Sequence, residues 1–247
     1  MKINAFIASR LGSARVPFKN LRLLNGRPMF EYLVDTCSRL DCFTDLYINS
    51  DSELLLKIAK ERYGNELKYY RRNKELGTSA ATLDDYVIDF IQHVPGDVTV
   101  FLNPCSVFLK SRTILAAMNY FIEHGLDSCV ASEKIQTHCF FKDNPVNFSF
   151  QEKQPRSQDL VPVHAMTSGF FIWRNETFLN SHRINGFGNF AGKFASYGIS
   201  KLEAIDIDTE EDFRLAELIM AKAAEAPAAA YHDAIHDDVL SQKLKVN

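Results

Sequence analysis

The chain has 247 residues, of which 46% are hydrophobic and 24% are charged, and its formal net charge at pH 7 is −3. These values are typical of a globular protein large enough to bury its own core, and they exclude a disordered or fibrous chain. Lysine and arginine together number 28 against 31 aspartates and glutamates, so the chain as a whole is not a basic surface for nucleic acid. Any polyanion must therefore be bound by a local cluster of cations.

The sequence indicates neither a membrane nor an export segment. No apolar run approaches the roughly 18 residues of a membrane-spanning helix, and the apolar N-terminus reaches Arg10 so soon that it indicates a buried strand rather than a signal peptide. The cysteines are odd in number, lack CxxC spacing and are typical of reduced thiols in a cytoplasmic protein. They are Cys37, Cys42, Cys105, Cys129 and Cys139.

Short apolar runs alternate with longer amphipathic segments along the first two thirds of the chain. This alternation predicts an α/β fold, with a mainly parallel sheet and helices on both faces. The predicted strands are residues 3–9, 45–49, 98–102, 128–131 and 170–173, and the predicted helices are residues 28–40, 51–63, 82–91, 113–123 and 213–224.

The alternation stops at about residue 133. From there to residue 158 the chain is polar and aromatic without helical periodicity, which predicts a β-rich excursion at about residues 133–165, as a hairpin or a contact between subunits. We find no internal repeat and no interdomain linker. We therefore expect one domain over residues 1–225 and a short C-terminal tail over residues 226–247.

A glycine- and cation-containing segment follows the first predicted strand. Gly12 and Ser13 allow backbone amides to approach an anion, while Arg10, Arg15 and Lys19 supply cationic donors. Loops at the carboxyl ends of strands are the usual ligand sites of α/β sheets. The segment matches neither GxxxxGK[ST] nor GxGxxG, and taken alone it is as compatible with a solvated loop as with a phosphate site.

A pair of carboxylates lies near the C-terminus. In a strand over residues 205–208, Asp206 and Asp208 would share one face and Ile205 and Ile207 would be buried behind them. Such a pair suits Mg²⁺, which takes one or two carboxylates and completes its shell with water and phosphate oxygens. The alternative is that Asp208 caps the following helix and Asp206 is solvated. Together with the cationic segment, the pair favours metal-assisted nucleotidyl or phosphoryl transfer.

A series of short motifs continues along residues 3–220. The motifs include RLGSARVPFKN at 10–20, GRPM at 26–29, SD at 50–51, RNKEL at 72–76, SAATLD at 79–84, LNPCS at 102–106, DSCV at 127–130, PRSQ at 155–158, SGFFI at 168–172 and IDIDTEEDF at 205–213. In this order they resemble the CMP-sialic acid synthetase family, the acylneuraminate cytidylyltransferases. Each motif is short, and the ordered series carries the resemblance.

The resemblance implies a Rossmann-like nucleotidyltransferase fold, Mg²⁺ as cofactor and a homodimer built on the excursion. It implies an enzyme of glycan biosynthesis that joins CTP to an acidic sugar, giving a CMP-sugar and pyrophosphate. The implied triphosphate contacts are Arg10, Ser13 and Lys19, and the other implied nucleotide contacts are Gly12, Arg15, Asn20, Arg72 and Thr82. The implied metal ligands are Asp206 and Asp208. The implied catalytic residues are Arg10, Lys19 and Asp208. Thr82 is equally a natural helix cap.

Departures from the family pattern concern the acceptor. Asn103 replaces the usual glutamine, and Met166 stands where sialic acid enzymes carry an arginine. A desolvated acidic acceptor needs a cation, so Lys142 and Arg156 are candidate acceptor-binding residues together with Asn103. The acceptor is then a nonulosonic acid, a related 2-keto sugar acid or a non-sugar acid such as a phosphonate. Two other functions stay open, a nucleotide-sugar-dependent glycosyltransferase and a catalytically silent nucleotide-binding homologue.

Overall fold

The computed structural model describes residues 1–13, 15–78 and 80–223. Within these ranges the strands are β1 Ile3–Ala8, β2 Leu23–Leu24, β3 Arg27–Pro28, β4 Asp45–Ser50, β5 Lys68–Arg71, β6 Val98–Leu102, β7 Ser128–Ile135, β8 Phe140–Phe141, β9 Asn144–Pro145, β10 Val163–Arg174 and β11 Phe194–Ile199. The helices are α1 Met29–Cys37, α2 Glu53–Tyr63, α3 Leu83–His93, α4 Ser111–Glu123, α5 Asn175–Asn185 and α6 Glu210–Ala223. The predicted tail 226–247 lies outside the described residues.

A seven-stranded sheet in the order β11-β7-β10-β6-β1-β4-β5 forms the centre of the molecule. β10 is antiparallel to both of its neighbours, and the other pairs in this sheet are parallel. β1 lies in the middle of the parallel half, where Ala5 pairs with Leu46 of β4 and with Val100 of β6. The predicted mainly parallel α/β sheet is therefore confirmed.

Helices cover both faces of the sheet because successive residues of a strand point to opposite sides. Ala5 and Ile7 of β1 pack on one face with α1, α2 and α4, whereas Phe6 between them packs on the other face with α3 and α5. All three side chains are fully buried. Within the described parts of the chain, none of the helices combines the length and the apolar character needed to cross a bilayer.

Several elements were not predicted because tertiary pairing, rather than local pattern, forms them. β5 has the sequence KYYR, with charged ends and half-buried tyrosines, and lies at the sheet edge. β11 and α5 were missed as well. β10 begins at Val163 instead of residue 170, since Val163–Met166 pairs with the end of β7 at the base of the excursion. A short β8–β9 hairpin forms within the excursion itself.

The predicted strand at residues 205–208 does not form. The segment joins no ladder, and its backbone is tied instead by a bond of 3.2 Å from the amide of Ile207 to the carbonyl of Cys105. Ile207 is fully buried in a third apolar cluster rather than on the sheet. The helix that follows begins at Glu210, three residues before its predicted start at residue 213, because Thr209 and Asp212 exchange capping hydrogen bonds there.

A buried glutamate anchors the segment that carries the two aspartates. The carboxylate of Glu203 accepts hydrogen bonds from the Lys110 amide (3.2 Å), the Thr113 hydroxyl (2.6 Å) and the Ser200 hydroxyl (2.6 Å). These contacts place a negative charge at the N-terminus of α4, where the helix dipole favours it. Burial alone would raise the pKa of Glu203, but the hydrogen bonds outweigh burial and hold the pKa below its ordinary value.

Replacing Glu203 by glutamine should lower the free energy of unfolding by about 2 kcal/mol at pH 7, in line with the strength of hydrogen bonds to charged groups. A carboxylate whose folded pKa is depressed contributes fully above its unfolded pKa, and the contribution is lost as the pH falls through the folded value. The difference between the two proteins should therefore shrink below about pH 4. Urea unfolding at pH 7 and at pH 3.5 measures both differences.

The matched control is Glu152→Gln, which removes an exposed carboxylate in the excursion. It should leave the unfolding free energy within about 0.5 kcal/mol of the wild type at both pH values. An equal loss in the two variants, or a Glu203→Gln loss that does not depend on pH, would contradict the anchoring role.

Candidate functional site

A cavity of about 460 Å³ opens at the carboxyl ends of β1 and β6, where open α/β sheets bind ligands. Its volume is within the roughly 300–1,000 Å³ of small-molecule sites. Most of the predicted site residues line it together: Arg10, Gly12, Ser13, Arg15, Lys19, Asn20, Arg72, Asn103, Asp206 and Asp208.

Three predicted site residues lie elsewhere. Thr82 is exposed and acts as the cap of α3, since its amide and hydroxyl both donate to Asp85. Lys142 is exposed in the turn of the β8–β9 hairpin. Arg156 is exposed and its guanidinium donates to Asp159 at 2.8 and 3.1 Å. The contacts of Thr82 are those of a helix cap, and neither cation reaches the cavity of the same chain.

Lys19 is a buried cation at the floor of the cavity. Its ammonium donates to the carbonyl of Ile207 at 2.5 Å and to a carboxylate oxygen of Asp208 at 3.0 Å. Burial lowers the pKa of Lys19, but the Cys105 thiol and the Asp208 carboxylate outweigh burial and raise it. Burial also raises the pKa of Cys105 to about 12, so that thiol is neutral at pH 7. Asp208 is therefore the anionic partner that keeps Lys19 charged.

The cationic loop is held by its own contacts. Arg15 forms an ion pair of 3.0 Å with Asp208, so this carboxylate is shared by two cations. Arg10 donates to the carbonyl of Thr78 at 3.2 Å, across the mouth of the cavity. Asn20 donates its amide to the carbonyl of Arg10 at 2.8 Å and so orients the loop from below. The arrangement presents two partly exposed guanidinium groups and one buried ammonium to a ligand.

Arg72 is a buried guanidinium with unused donors. It is 3% exposed, lies over the ring of Tyr86 at 5.1 Å and is 3.6 Å from Asp51. Its Nε and Nη1 atoms are buried and have no hydrogen-bond partner among the described residues. Burial lowers the pKa of Arg72, and the Asp51 carboxylate opposes that shift. Such a group is expected to receive an acceptor from a bound molecule.

Asp206 is the second carboxylate of the cavity. It accepts a short hydrogen bond from the hydroxyl of Ser168 and longer ones, of 3.4 and 3.5 Å, from the amide of Asn103. Burial raises the pKa of Asp206, Ser168 opposes that shift, and the nearby charge of Asp208 adds to it. A cation between the two carboxylates would offset their repulsion.

The donor set of the cavity fits Mg²⁺. No group of three or more His, Cys, Asp and Glu side chains suited to a metal occurs in the described ranges, so a protein-only metal cage is not formed there. Mg²⁺ commonly takes one or two carboxylates and fills its remaining positions with water and substrate phosphates. Asp206 and Asp208, which line one cavity together with Arg10, Arg15 and Lys19, match that requirement.

Sequence reasoning assigned no role to Tyr86 or Ser168, both of which line the cavity. Tyr86 lies one helical turn after Thr82, so its position was implicit in the predicted helix. Ser168 and Gly169 lie just before the predicted strand at residues 170–173 but inside the observed β10, and a glycine inside a strand is a signal for a bulge. The register of β10 does shift between Met166 and Phe171.

The fold defines the class of protein first. It is similar to the solved structure of CMP:2-keto-3-deoxy-manno-octonic acid synthetase complexed with CTP, with a TM-score of 0.67 and 14% sequence identity over 90% of this chain and 100% of that chain. The predicted nucleotidyltransferase fold is thereby confirmed. The family model described as Cytidylyltransferase matches residues 5–219, and the chain belongs to that family of enzymes.

Sequence relatives agree with this family and with the motifs. N-acylneuraminate cytidylyltransferase of Streptococcus agalactiae serotype III (strain NEM316) is 29% identical over 222 residues, which cover 86% of this chain and 52% of that protein. CMP-N,N'-diacetyllegionaminic acid synthase of Legionella pneumophila is 27% identical over 240 residues, which cover 92% of this chain and 99% of that protein. The chain thus spans about half the length of the streptococcal relative.

The burial of Cys105 against Lys19 predicts that this thiol is chemically silent. At pH 8 in the folded protein, iodoacetamide should modify Cys139, which is partly exposed, and leave Cys105 unmodified, because the thiolate is the reactive species. Peptide mass spectrometry measures the two sites in one sample. Urea-unfolded protein, in which both should react equally, is the control, and equal rates in the folded protein would show that Cys105 is not packed as described.

Proposed function

We propose that this protein transfers CMP from CTP to an acidic sugar, a nonulosonic acid or a related 2-keto sugar acid, with release of pyrophosphate. The observation that carries the proposal is the shared cavity of Arg10, Lys19 and Arg72 with Asp206 and Asp208. Cations for a triphosphate and carboxylates for a hard metal ion are the two requirements of nucleotidyl transfer. The names of the relatives, which pair cytidylyl or CMP chemistry with acylneuraminate and legionaminic acid, support the acidic sugar.

The cationic loop would bind the triphosphate. Gly12 leaves the backbone open to a ligand, since a Cβ built there meets nothing within 4 Å. Arg10, Ser13 and Lys19 supply side-chain donors around that opening. Arg72, with its two unused nitrogens, would bind the nucleoside part of CTP. All of these groups are positioned before the nucleotide arrives, which is what electrostatic stabilisation of a transition state requires.

In the reaction, a hydroxyl oxygen of the acceptor attacks the α-phosphorus of CTP, and the hydroxyl proton is released to solvent. The bond from that phosphorus to the bridging oxygen breaks, and pyrophosphate leaves with the bonding pair. Negative charge increases on the phosphate oxygens, and Lys19 stabilises it because its ammonium stays charged while buried. Arg15 and Lys19 both pair with Asp208, which is the counter-ion that the phosphates would replace.

Asp206 and Asp208 would hold the magnesium ion. When bound, the ion would neutralise charge on the phosphates and orient them. Ser168 and Asn103 keep the Asp206 carboxylate in place beside that position. The two aspartates would therefore act as metal ligands.

The excursion would join two copies of the chain. Phe140, Phe141 and Phe150 are 58%, 68% and 66% exposed, although rings of this size are normally buried. Phe148 packs edge-on against Phe140 and Phe150, with centroids 5.2 and 5.8 Å apart, which makes one continuous aromatic surface. An exposed apolar patch of this kind marks an interaction site. In such a homodimer, Lys142 would lie at the contact between subunits.

The homodimer predicts a mass twice the 28.1 kDa of the chain in size-exclusion chromatography with light scattering. The double variant Phe140→Ser, Phe150→Ser should shift the mass toward that of a single chain, because the variant removes two rings of the aromatic surface that would form the subunit contact. Phe187→Ser, which changes an exposed phenylalanine outside the excursion, should remain dimeric. A wild type that stays monomeric at all concentrations would exclude the dimer.

The reaction is tested by pyrophosphate release with CTP, UTP, ATP and GTP, each against a panel of sialic, pseudaminic, legionaminic, ketodeoxyoctonic and phosphonic acids. We expect release with CTP and a sugar acid. Release with a phosphonic acid alone would identify a non-sugar acceptor. CTP binding without release in any mixture would indicate a silent homologue, and sugar transfer from a nucleotide-sugar would indicate a glycosyltransferase.

The same assay applied to Asp208→Ala tests the assigned site. The substitution removes the proposed metal ligand and the partner of Lys19, so kcat/KM should fall by at least about 100-fold. Circular dichroism should show an unchanged fold. Asp41→Ala, which removes an exposed carboxylate that does not line the cavity, should keep wild-type activity. A fully active Asp208→Ala protein would refute the assigned site.

A further inference from the structure

A polar network around Asp206 joins three segments that are far apart in the sequence. The amide nitrogen of Asn103, which follows β6, is 2.9 Å from the hydroxyl of Ser168 in β10. The Ser168 hydroxyl in turn donates to one carboxylate oxygen of Asp206. The same Asn103 nitrogen also approaches both oxygens of Asp206, at 3.4 and 3.5 Å. Donors from β10 and from the residue after β6 therefore converge on one carboxylate.

The directions of these hydrogen bonds follow from the available protons. The amide oxygen of Asn103 accepts from the backbone nitrogen of Cys105 at 3.1 Å, which leaves only its nitrogen to face the carboxylate. The hydroxyl of Ser168 has one proton, which it gives to Asp206, and its lone pairs accept from Asn103. Both functional ends of the Asn103 side chain are thus used inside the protein.

Backbone geometry explains why Ser168 reaches the cavity. Met166 of β10 pairs with Ser132 and Phe171 pairs with Val130, so β10 carries extra residues opposite a short stretch of β7. A bulge of this kind redirects side chains and is frequent beside active sites. The backbone carbonyl of Gly169 in the bulge accepts a hydrogen bond of 3.1 Å from the backbone nitrogen of Asn103. This bond connects the bulge to the end of β6.

We infer that Asn103 and Ser168 are positioning residues that orient the Asp206 carboxylate toward a divalent cation, and that Asn103 does not bind the acceptor. This inference rests on the proposed function, in which Asp206 is a metal ligand. It replaces the sequence-based assignment of Asn103, because an acidic acceptor needs a hydrogen-bond donor and the two protons of the Asn103 amide nitrogen already face Ser168 and Asp206. Mutation of a residue that hydrogen-bonds to a metal ligand typically lowers metal affinity by about 10–100-fold.

The test measures Mn²⁺ binding by electron paramagnetic resonance on the nucleotide-free protein. Ser168→Ala and Asn103→Ala should each raise the dissociation constant of Mn²⁺ by about 10-fold or more, and Ser168→Thr, which keeps the hydroxyl, should restore it. The control is Thr167→Ala in the same bulge, because the Thr167 hydroxyl has no hydrogen-bond partner in the described part of the chain. Equal Mn²⁺ binding in Ser168→Ala and wild type, or an equal loss in Thr167→Ala, would overturn the inference.

Kinetics separate positioning from acceptor binding. In Asn103→Ala, the Mg²⁺ concentration for half-maximal pyrophosphate release should rise while the acceptor KM at saturating Mg²⁺ stays unchanged. A raised acceptor KM with unchanged Mg²⁺ dependence would return Asn103 to the acceptor site. Asp206→Asn distinguishes the two proposals, since unchanged Mn²⁺ binding in that variant would show that the metal site itself is wrong. The Mn²⁺ titration needs no acceptor, so a wrong acceptor does not affect it.

Discussion

The ion pair between Lys19 and Asp208 holds the two halves of the cavity together. These residues are 189 positions apart in the chain, and the Lys19 side chain is only 10% exposed. A buried ammonium is costly unless a carboxylate and hydrogen-bond acceptors compensate it. The cationic loop after β1 can therefore keep its central charge only when the segment before α6 is in place. The cationic side and the carboxylate side of the cavity therefore form as one unit.

Apolar packing beneath the ion pair fixes its geometry. Val16 of the cationic loop, Ile207 between the two aspartates and Phe213 of α6 are fully buried in one cluster, which also contains Cys105. Ile207 turns inward, so its two neighbours face the cavity. Glu203 fastens the same segment to the start of α4. Close packing of this kind is what allows a site to be organised before its ligand binds.

Local sequence pattern predicts only what local geometry determines. The sheet, its parallel direction and the cationic loop follow from alternating apolar runs and from the chemistry of Arg10 and Lys19. Residues 205–208 were predicted as a strand because apolar and acidic residues alternate there. The same alternation occurs in a segment that packs on the protein without pairing with the sheet. The position of the Ser168 side chain depends on a register shift in β10, and the formation of β5 depends on its pairing at the sheet edge. Local sequence pattern encodes neither of them. Residue types were thus predictable where side-chain directions were not.

The predictions for acceptor binding agree least with the structure, because residues of a suitable type do not lie in suitable positions. Arg10, Arg15 and Lys19 belong to one loop whose backbone brings these cations together, so a motif in the sequence corresponds to a cluster in space. The proposed acceptor cations, Lys142 and Arg156, lie in an excursion and do not line the cavity of their own chain. Asn103 lines it, but its side chain is bonded to Ser168, Asp206 and the backbone at Cys105. Under the proposed function, the acceptor would therefore be bound by groups that a second subunit brings to the cavity or through its own contacts with the nucleotide, whereas one chain would supply the groups that bind the nucleotide.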